Sequence, residues 1–292
     1  MTHQKFLSAC FMIALGLFFV VGCSRNQSDL LTIYARDDRA TLATAEPNLA
    51  AFAGSVALLT HSFRMKTVGE SFFKIPAPKL GDFFGLCQEE PFFEERVVGD
   101  CTGFLVSETQ LVTAGHCISS HAECEQRKFV FNHHTAGQEL FATQDVYSCR
   151  RIISSLPKSK GDLVVVELDR PKTNPSGSRL FNVASVASTQ HTELVTLGYP
   201  SGISLKSAPL EGRRHSRDTY SFRGRADVSG GSSGSPLFSP ETGTLEGVVL
   251  GGENDFVWDA SASCSRSKVC TADTCSGERF ASREALLNLF KM

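Results

Sequence analysis

The chain of 292 residues contains ten cysteines, an unusually large number for an intracellular protein. A reducing cytosol rarely maintains so many unless they bind metal, and the sequence has no CxxC pair of the kind that zinc sites use. The cysteines therefore predict an exported protein held together by disulfide bonds. An even number follows residue 23, which suits four disulfide bonds: Cys87, Cys101, Cys117, Cys124, Cys149, Cys264, Cys270 and Cys275.

The first 22 residues support export. Lys5 precedes an apolar run over residues 6–21, which suits a signal-peptide core and is marginal for spanning the ~30 Å hydrocarbon layer of a bilayer. The run ends in Val-Val-Gly-Cys23, which resembles a bacterial lipobox, where the cysteine is acylated and becomes the new N-terminus. We expect an outer-membrane lipoprotein, or a protein of the periplasm or cell surface, with Cys23 as its lipid anchor. An uncleaved anchor helix, or a plain signal peptide followed by a chance cysteine, is the alternative.

The rest of the chain divides into two parts. Residues 23–50 are polar and mixed, which indicates a lipidated tether or a pro-segment. Over residues 51–292, short apolar or alternating runs are separated by Gly, Pro, Asn and Asp, and this pattern predicts an all-β sandwich or barrel. At the end of the chain, Ser282 is expected to cap a C-terminal helix with one apolar face, formed by Ala285, Leu286, Leu289 and Phe290.

Three segments supply the residue types that make a serine nucleophilic. A serine hydroxyl reacts poorly at neutral pH unless a base takes its proton, and an imidazole can do so. A buried carboxylate then orients the imidazole and stabilises its protonated form. Each segment alone has a structural interpretation: a histidine beside a cysteine, a Gly-Asp turn and a flexible Gly/Ser loop. In chain order they are Thr113-Ala114-Gly115-His116-Cys117, Gly161-Asp162-Leu163 and Gly231-Ser232-Ser233-Gly234-Ser235-Pro236.

Together and in this order, the segments resemble the triad motifs of the chymotrypsin-fold (trypsin-like) serine endopeptidases, over about residues 51–292. The resemblance implies an all-β fold of two Greek-key, six-stranded β-barrels with the site in the cleft between them. It implies that His116 is the general base, Asp162 its orienting carboxylate and Ser233 the nucleophile. No cofactor and no metal are expected for this chemistry.

The resemblance also assigns supporting roles. Backbone N–H groups of Gly231 and Ser233 would form the oxyanion hole. A disulfide bond between Cys101 and Cys117 would hold the histidine loop. The partners of the other six cysteines stay open, with Cys124 and Cys149 as one candidate pair.

The residues around the nucleophile resemble the bacterial glutamyl-endopeptidase-like branch of the family. Ser232 stands where animal trypsin-like enzymes have the aspartate that pairs with a newly cut N-terminus, so that activation switch is not expected. Ser235-Pro236, and the segment over residues 198–203, resemble the same branch.

Substrate preference is predicted from a single position. Asp227 lies six residues before Ser233, which in the trypsin register is the floor of the specificity pocket. A carboxylate there would favour Arg or Lys at P1, although members of the bacterial branch often have Asp without that preference. Residues 247–252 lack the histidine that glutamyl enzymes use, so glutamyl specificity is not supported.

The remaining features have ordinary structural interpretations. The net charge of −2 gives no reason to expect nucleic acid as a partner. We interpret the basic run over residues 213–225 as a solvated loop, and the Phe-Phe pairs at 72–73, 83–84 and 92–93 as core or edge packing. His133-His134 does not form a metal-ligand pattern. The expected partners are protein or peptide substrates, and the protein is expected to be a monomer.

The sequence thus predicts an exported serine endopeptidase. A non-catalytic binding module on the same barrels is the main alternative, since a fold does not determine a function. An envelope adhesin or structural lipoprotein, with the triad residues incidental, is a more remote one.

Overall fold

A computed structural model describes residues 33–34, 36–45, 47–173, 178–183, 193–214, 218–271 and 274–291. The predicted signal peptide and Cys23 lie outside these residues, as does part of the predicted basic loop, residues 215–217. Within the described ranges, no helix has the length and apolar character needed to cross a membrane.

Most of the regular structure is β-sheet. The strands are β1 (Ile33–Tyr34), β2 (Ala40–Thr41), β3 (Val56–His61), β4 (Lys66–Val68), β5 (Phe72–Lys74), β6 (Cys101–Leu105), β7 (Gln110–Ala114), β8 (Arg127–Phe131), β9 (Leu140–Ala142), β10 (Val146–Leu156), β11 (Leu163–Leu168), β12 (Val195–Gly198), β13 (Lys206–Pro209), β14 (Glu211–Arg214), β15 (Ser221–Arg225), β16 (Pro236–Phe238), β17 (Leu245–Gly251), β18 (Phe256–Asp259), β19 (Cys264–Ser267), β20 (Val269–Cys270) and β21 (Glu278–Ser282). The helices are α1 (Pro47–Ala53), α2 (Leu80–Phe84), α3 (His121–Gln126) and α4 (Arg283–Leu289).

The first half of the fold is a closed antiparallel barrel with the strand order β10-β11-β7-β6-β3-β8. Its strands are short and rich in β-branched and aromatic residues, which pack well on a pleated surface. β11 is buried along almost its whole length, because α4 covers the outside of β10 and β11. Ser154 of β10 donates its hydroxyl to the Leu289 carbonyl of α4 at 2.9 Å.

The second half is an open sheet with the order β14-β15-β21-β17-β16-β12-β13-β2. The predicted all-β, chymotrypsin-like fold with a C-terminal helix is confirmed. The second half is an open half-barrel of eight strands rather than a closed barrel of six, and β2 (residues 40–41) forms one of its edges beside β13.

Four phenylalanines join the two halves. Phe104 of β6 packs against Phe181, with ring centroids 5.2 Å apart. Phe181 in turn contacts Phe238 of β16 at 4.8 Å, and Phe52 of α1 contacts Phe238 at 4.9 Å. The barrel and the sheet therefore share one apolar core, and the cleft between them has rigid walls.

The C-terminal helix begins as predicted. The Ser282 hydroxyl accepts the N–H of Ala285 at 3.2 Å, which satisfies one of the free donors of the first turn. Ala285, Leu286 and Leu289 are buried, whereas Phe290 remains partly exposed.

Four disulfide bonds are present: Cys87–Cys264, Cys101–Cys117, Cys124–Cys149 and Cys270–Cys275. Such a set is typical of exported proteins. The longest-range one attaches the connection between β3 and β6, residues 62–98, to β19 of the second half.

A buried ion pair also anchors this 62–98 connection. The Glu95 carboxylate accepts a hydrogen bond from Lys206 Nζ of β13 at 3.0 Å, and both side chains are almost inaccessible to solvent. The Ser204 hydroxyl contacts both Glu95 and Lys206, so the two buried charges are hydrogen-bonded as well as paired.

Candidate active site

His116 lies in a short 3-10 helix, Gly115–Cys117, directly after β7. The Cys101–Cys117 disulfide bond ties this loop to β6. Gly115 donates its N–H to the Asp162 carbonyl at 2.6 Å. A Cβ at position 115 would lie 2.7 Å from Asp162 Oδ1, so the close approach of the two loops requires glycine.

His116 and Asp162 are brought together. His116 Nδ1 lies 2.8 Å from Asp162 Oδ2, where the carboxylate is only 5% exposed and the imidazole 33%. Asp162 follows Gly161, and both have a positive φ (51° and 117°). Aspartate tolerates this left-handed conformation better than most residues, and the sharp turn points the carboxylate at the histidine loop.

The environment of Asp162 favours its charged form. Burial alone would raise its pKa, but the hydrogen bond and charge of His116, with Arg279 and Lys158 nearby, lower the pKa below its ordinary value. An ionised Asp162 accepts the Nδ1–H of His116. That tautomer leaves Nε2 as the basic nitrogen.

Ser233 lies in a tight turn between β15 and β16. Its carbonyl accepts the Thr102 N–H at 2.8 Å, and the Thr102 hydroxyl donates to the Gly231 carbonyl at 2.8 Å. Gly231 and Gly234 both have φ of 91°. A Cβ on Gly231 would lie 2.6 Å from the Tyr199 carbonyl, and one on Gly234 would clash with the Thr102 carbonyl. The Gly-x-x-Gly spacing is therefore a steric requirement of this turn.

Some backbone N–H groups of the turn donate to acceptors within the protein, and others do not. The N–H of Gly230 donates to Asp255 Oδ2, that of Ser232 to the Ser229 carbonyl, and that of Gly234 to the Val249 carbonyl. Among the described residues, none accepts the N–H of Gly231 or of Ser233. The two N–H groups that the resemblance assigns to the oxyanion hole are thus both available to a ligand.

The structure shows no hydrogen bond between the predicted nucleophile, Ser233, and the predicted base, His116. Ser233 Oγ lies 3.5 Å from the Leu250 carbonyl, and no hydrogen bond links it to His116 in the described part of the chain. The serine turn is nevertheless beside the histidine loop, because Cys117 Sγ lies 3.8 Å from the Ser233 carbonyl oxygen. In ligand-free enzymes such catalytic contacts are often long and tighten when substrate binds.

Asp227 is buried at 4% exposure, and its carboxylate is already engaged. Oδ1 accepts the Tyr34 N–H and Oδ2 the Asp38 N–H, each at 3.0 Å. Burial raises the pKa of Asp227, although the two N–H donors act in the opposite direction by stabilising the charged carboxylate. In this structure the carboxylate therefore binds the N-terminal segment, of which residues 33–34 and 36–45 are described, through two backbone N–H groups.

The N-terminal segment carries two further carboxyl contacts that the sequence analysis missed. Burial and the neighbouring Asp227 raise the pKa of Asp38, because two carboxylates side by side in a buried place disfavour each other's charge. The Tyr34 hydroxyl donates to Glu278 Oε1 at 3.2 Å. Nothing in the polar composition of residues 23–50 signals these contacts.

One cluster has metal-ligand residue types. Donor atoms of Cys101, His116 and Cys117 all lie within 4.8 Å of one another. The two cysteines form a disulfide bond, so neither offers a thiolate to a metal ion.

Comparison with known proteins gives a family match. A family model described as a trypsin-like peptidase domain matches residues 101–248. No curated protein matches the sequence. Among solved structures, a serine-to-alanine mutant of Rv3671c from M. tuberculosis in its inactive form is 16% identical, covers 90% of this chain and 96% of that chain, and has a TM-score of 0.48. The active form of the Rv3671c protease from M. tuberculosis is 16% identical, with coverages of 84% and 83% and a TM-score of 0.45.

Proposed function

The chain belongs to the trypsin-like peptidase domain family, and we propose that it is an exported serine endopeptidase that acts through His116, Asp162 and Ser233. The observation that carries the proposal is the hydrogen bond from His116 to the buried Asp162 beside a turn whose Gly231 and Ser233 N–H groups have no acceptor among the described residues. This arrangement contains a base, its orienting carboxylate and two N–H donors next to one serine.

In the acylation step, Ser233 Oγ attacks the carbonyl carbon of the scissile peptide bond. His116 Nε2 takes the hydroxyl proton, and the Gly231 and Ser233 N–H groups stabilise the negative charge that develops on the carbonyl oxygen. The tetrahedral intermediate then collapses. The C–N bond breaks, and the protonated His116 gives its proton to the leaving amine.

In the deacylation step, water replaces the amine. His116 removes a proton from that water, the hydroxide attacks the acyl-enzyme, and the proton returns to Ser233 Oγ when the ester bond breaks. Asp162 stays ionised throughout, because its lowered pKa disfavours taking up the proton of the imidazolium. Its role is to hold the Nδ1–H tautomer and to stabilise the charged ring.

Before the first step, the nucleophile must reorient. Ser233 Oγ has to leave the Leu250 carbonyl and turn towards His116. We expect this reorientation when substrate binds in the cleft, since catalytic hydrogen bonds that are long in the free protein tighten in the complex with substrate.

The finer part of the proposal is the P1 preference. The sequence position of Asp227 suggests Arg or Lys, but a cationic side chain would have to compete with the Tyr34 and Asp38 N–H groups for the same two oxygens. A peptide-library cleavage profile of the mature, disulfide-bonded protein tests this preference. Cleavage only after Glu or Phe would contradict it.

We also propose that the protein belongs to the glutamyl-endopeptidase-like branch of the family. This assignment rests on the residues around Ser233.

The proposed location depends on residues outside the described ranges. We propose that residues 1–22 are removed and that Cys23 carries the lipid, placing the protein on an outer membrane or elsewhere in the envelope. Mass spectrometry of the N-terminal peptide from a bacterial host tests this. A peptide that starts at an acylated Cys23 is expected, and an unmodified cysteine would contradict the anchor.

Covalent labelling tests the proposed catalysis directly. A fluorophosphonate probe should react with the oxidised protein, and peptide mapping should place the adduct on Ser233. A non-catalytic binding module is the second candidate, favoured by the lack of a hydrogen bond between His116 and Ser233. That alternative predicts no labelling of the correctly folded, disulfide-bonded protein.

A further inference from the structure

A second feature of the cleft is an apolar cavity beside the turn that carries Ser233. It has a volume of about 370 Å³ and is bounded on one side by Gly231, whose N–H belongs to the proposed oxyanion hole. Its other wall consists of Phe83, Phe84 and Val97, all from the 62–98 connection. A volume of this size lies within the range of ~300–1,000 Å³ seen for small-ligand pockets.

The aromatic wall is held firmly in place. Phe84 packs against Phe256 of β18, with ring centroids 4.9 Å apart. Three residues later, the Cys87–Cys264 disulfide bond joins the connection to β19. Phe83 stays 56% exposed although the neighbouring chain is fixed. A large apolar side chain on a rigid support beside a reactive turn is typical of a binding surface.

The charged groups at the edge of the cavity are engaged elsewhere. Arg64 donates to the Val97 carbonyl at 2.7 Å, and Asp100 pairs with Arg127 at 2.6 Å. The surface that remains for a ligand is therefore mainly aromatic. It favours an apolar side chain, because a charged one would lose its hydration without gaining a free partner.

The position of the cavity relates it to one half of a bound peptide. In the proposed mechanism the leaving amine takes its proton from His116, so the half of the peptide that leaves lies on the side of the histidine loop. The cavity is bounded by Gly231 and by Asp100, whose neighbour Cys101 forms the disulfide bond that holds this loop. It therefore faces the half of the peptide that leaves as the amine.

We propose that this cavity is a subsite for an apolar side chain within the first two residues after the scissile bond, and that Phe83 and Phe84 determine its specificity. The sequence alone indicates core or edge packing for these two phenylalanines, whereas in the structure they line the cavity. The inference rests on the proposed endopeptidase function and adds the leaving-group side to its substrate class.

The test uses peptides with one fixed acyl half, taken from the best library substrate, and with Leu, Phe, Gly or Asp at P1′ and P2′. For the unmodified protein, kcat/KM should be about tenfold or more higher with Leu or Phe than with Asp, the usual size of discrimination by an apolar pocket. Phe83→Ala should reduce this ratio to about twofold. Phe83→Leu should retain most of it, and Phe83→Lys should shift the preference towards Asp.

Two controls separate specificity from damage. Phe72→Ala removes a similarly exposed phenylalanine of the same connection, 45% exposed in β5, and should leave the ratio unchanged. An ester with the same acyl half and no residue beyond the scissile bond should be hydrolysed equally by every variant. Ester hydrolysis with a flat P1′–P2′ profile, or a ratio unaffected by Phe83→Ala, would overturn the inference while leaving the endopeptidase proposal intact. Absence of fluorophosphonate labelling and of all cleavage would overturn both.

Discussion

Asp255 accepts the N–H of Gly230 at 2.8 Å, three residues before the proposed nucleophile Ser233. The contact connects the loop between β17 and β18 to the turn that carries the proposed oxyanion donors. Asp255 is thus a positioning residue for that turn. Burial raises its pKa, although the Gly230 N–H acts in the opposite direction by favouring the charged form.

Replacement of Asp255 by Ala should loosen the oxyanion turn. We expect kcat to fall by ten- to about a hundredfold with KM little changed, because a displacement of about 1 Å in a catalytic donor can cost that much. Steady-state kinetics measures the split between kcat and KM. Asp255→Asn, which retains an acceptor oxygen, is the matched control and should recover most of the rate. An equal loss in both variants would argue against positioning by this hydrogen bond.

Replacement of Ser233 by Ala should abolish nearly all turnover. Loss of the nucleophile in a triad costs about 10⁶-fold in kcat, and the residual rate comes from binding and the oxyanion hole. The thermal transition should stay close to that of the parent protein, because Ser233 Oγ makes only one long contact, to the Leu250 carbonyl. Full activity in the folded variant would disprove the nucleophile assignment.

Replacement of Asp162 by Asn should leave the loop geometry intact and still reduce kcat by about 10⁴-fold. The amide cannot stabilise the imidazolium and favours the wrong histidine tautomer. Measurement of kcat against pH checks the mechanism, since part of the loss should be recovered at high pH, where hydroxide can replace the histidine as base. A loss below tenfold would indicate that Asp162 is structural only.

His133 should make the fold sensitive to acid. It is fully buried against Tyr199 and Phe141, its Nε2 has no hydrogen-bond partner among the described residues, and burial lowers its pKa from 6.5 to about 4. The unfolded chain therefore binds the proton more readily than the folded one. The stabilisation is complete above pH 6.5 and is lost as the pH falls from 6.5 towards 4, by about 3 kcal/mol in total.

Denaturant unfolding at several pH values measures this loss. His133→Gln should flatten the dependence between pH 6.5 and 4, whereas substitution of the exposed His121 should leave it unchanged. An identical acid profile in the His133 variant would contradict the assignment.

Breaking the buried Glu95–Lys206 pair should destabilise the protein strongly. Glu95→Ala leaves Lys206 Nζ buried beside Ser204 and the Phe92 ring, without the carboxylate that balances its charge, at a cost of about 3–5 kcal/mol. Removing both charges in a Glu95→Leu, Lys206→Met double variant should recover much of that loss. Chemical denaturation of the single and double variants measures the coupling. Near-additive losses would show that the two charges do not depend on each other.

The sequence predicted the parts of this fold that depend on local chemistry. Alternating apolar strands and the cap at Ser282 have local signatures, and the expected fold class is confirmed. Gly115 and Gly231 belong to recognisable motifs, and the structure gives the reason: neither position has room for a side chain. The motifs could not show that Ser233 Oγ lies against the Leu250 carbonyl, because the surroundings in the folded protein select a side-chain rotamer and the residue type alone does not.

Contacts between distant segments were much harder to predict. The Cys87–Cys264 disulfide bond spans 177 residues, and cysteine spacing alone cannot select it from the alternatives. Asp227 accepts the backbone N–H of Tyr34, a donor that every residue except proline would offer at this position. Backbone pairing of this kind has no sequence signature, so a polar segment gave no sign that it belongs to the sheet.

The early start of β1 in the chain limits how far the folded part can lie from a lipid anchor. If Cys23 carries the lipid as proposed, β1 at Ile33 begins only ten residues later, and β1 is already paired with β20. A fully extended chain of about ten residues spans about 35 Å at most. The enzyme would then work within roughly its own diameter of the bilayer, and only targets that come to the membrane surface would meet its cleft.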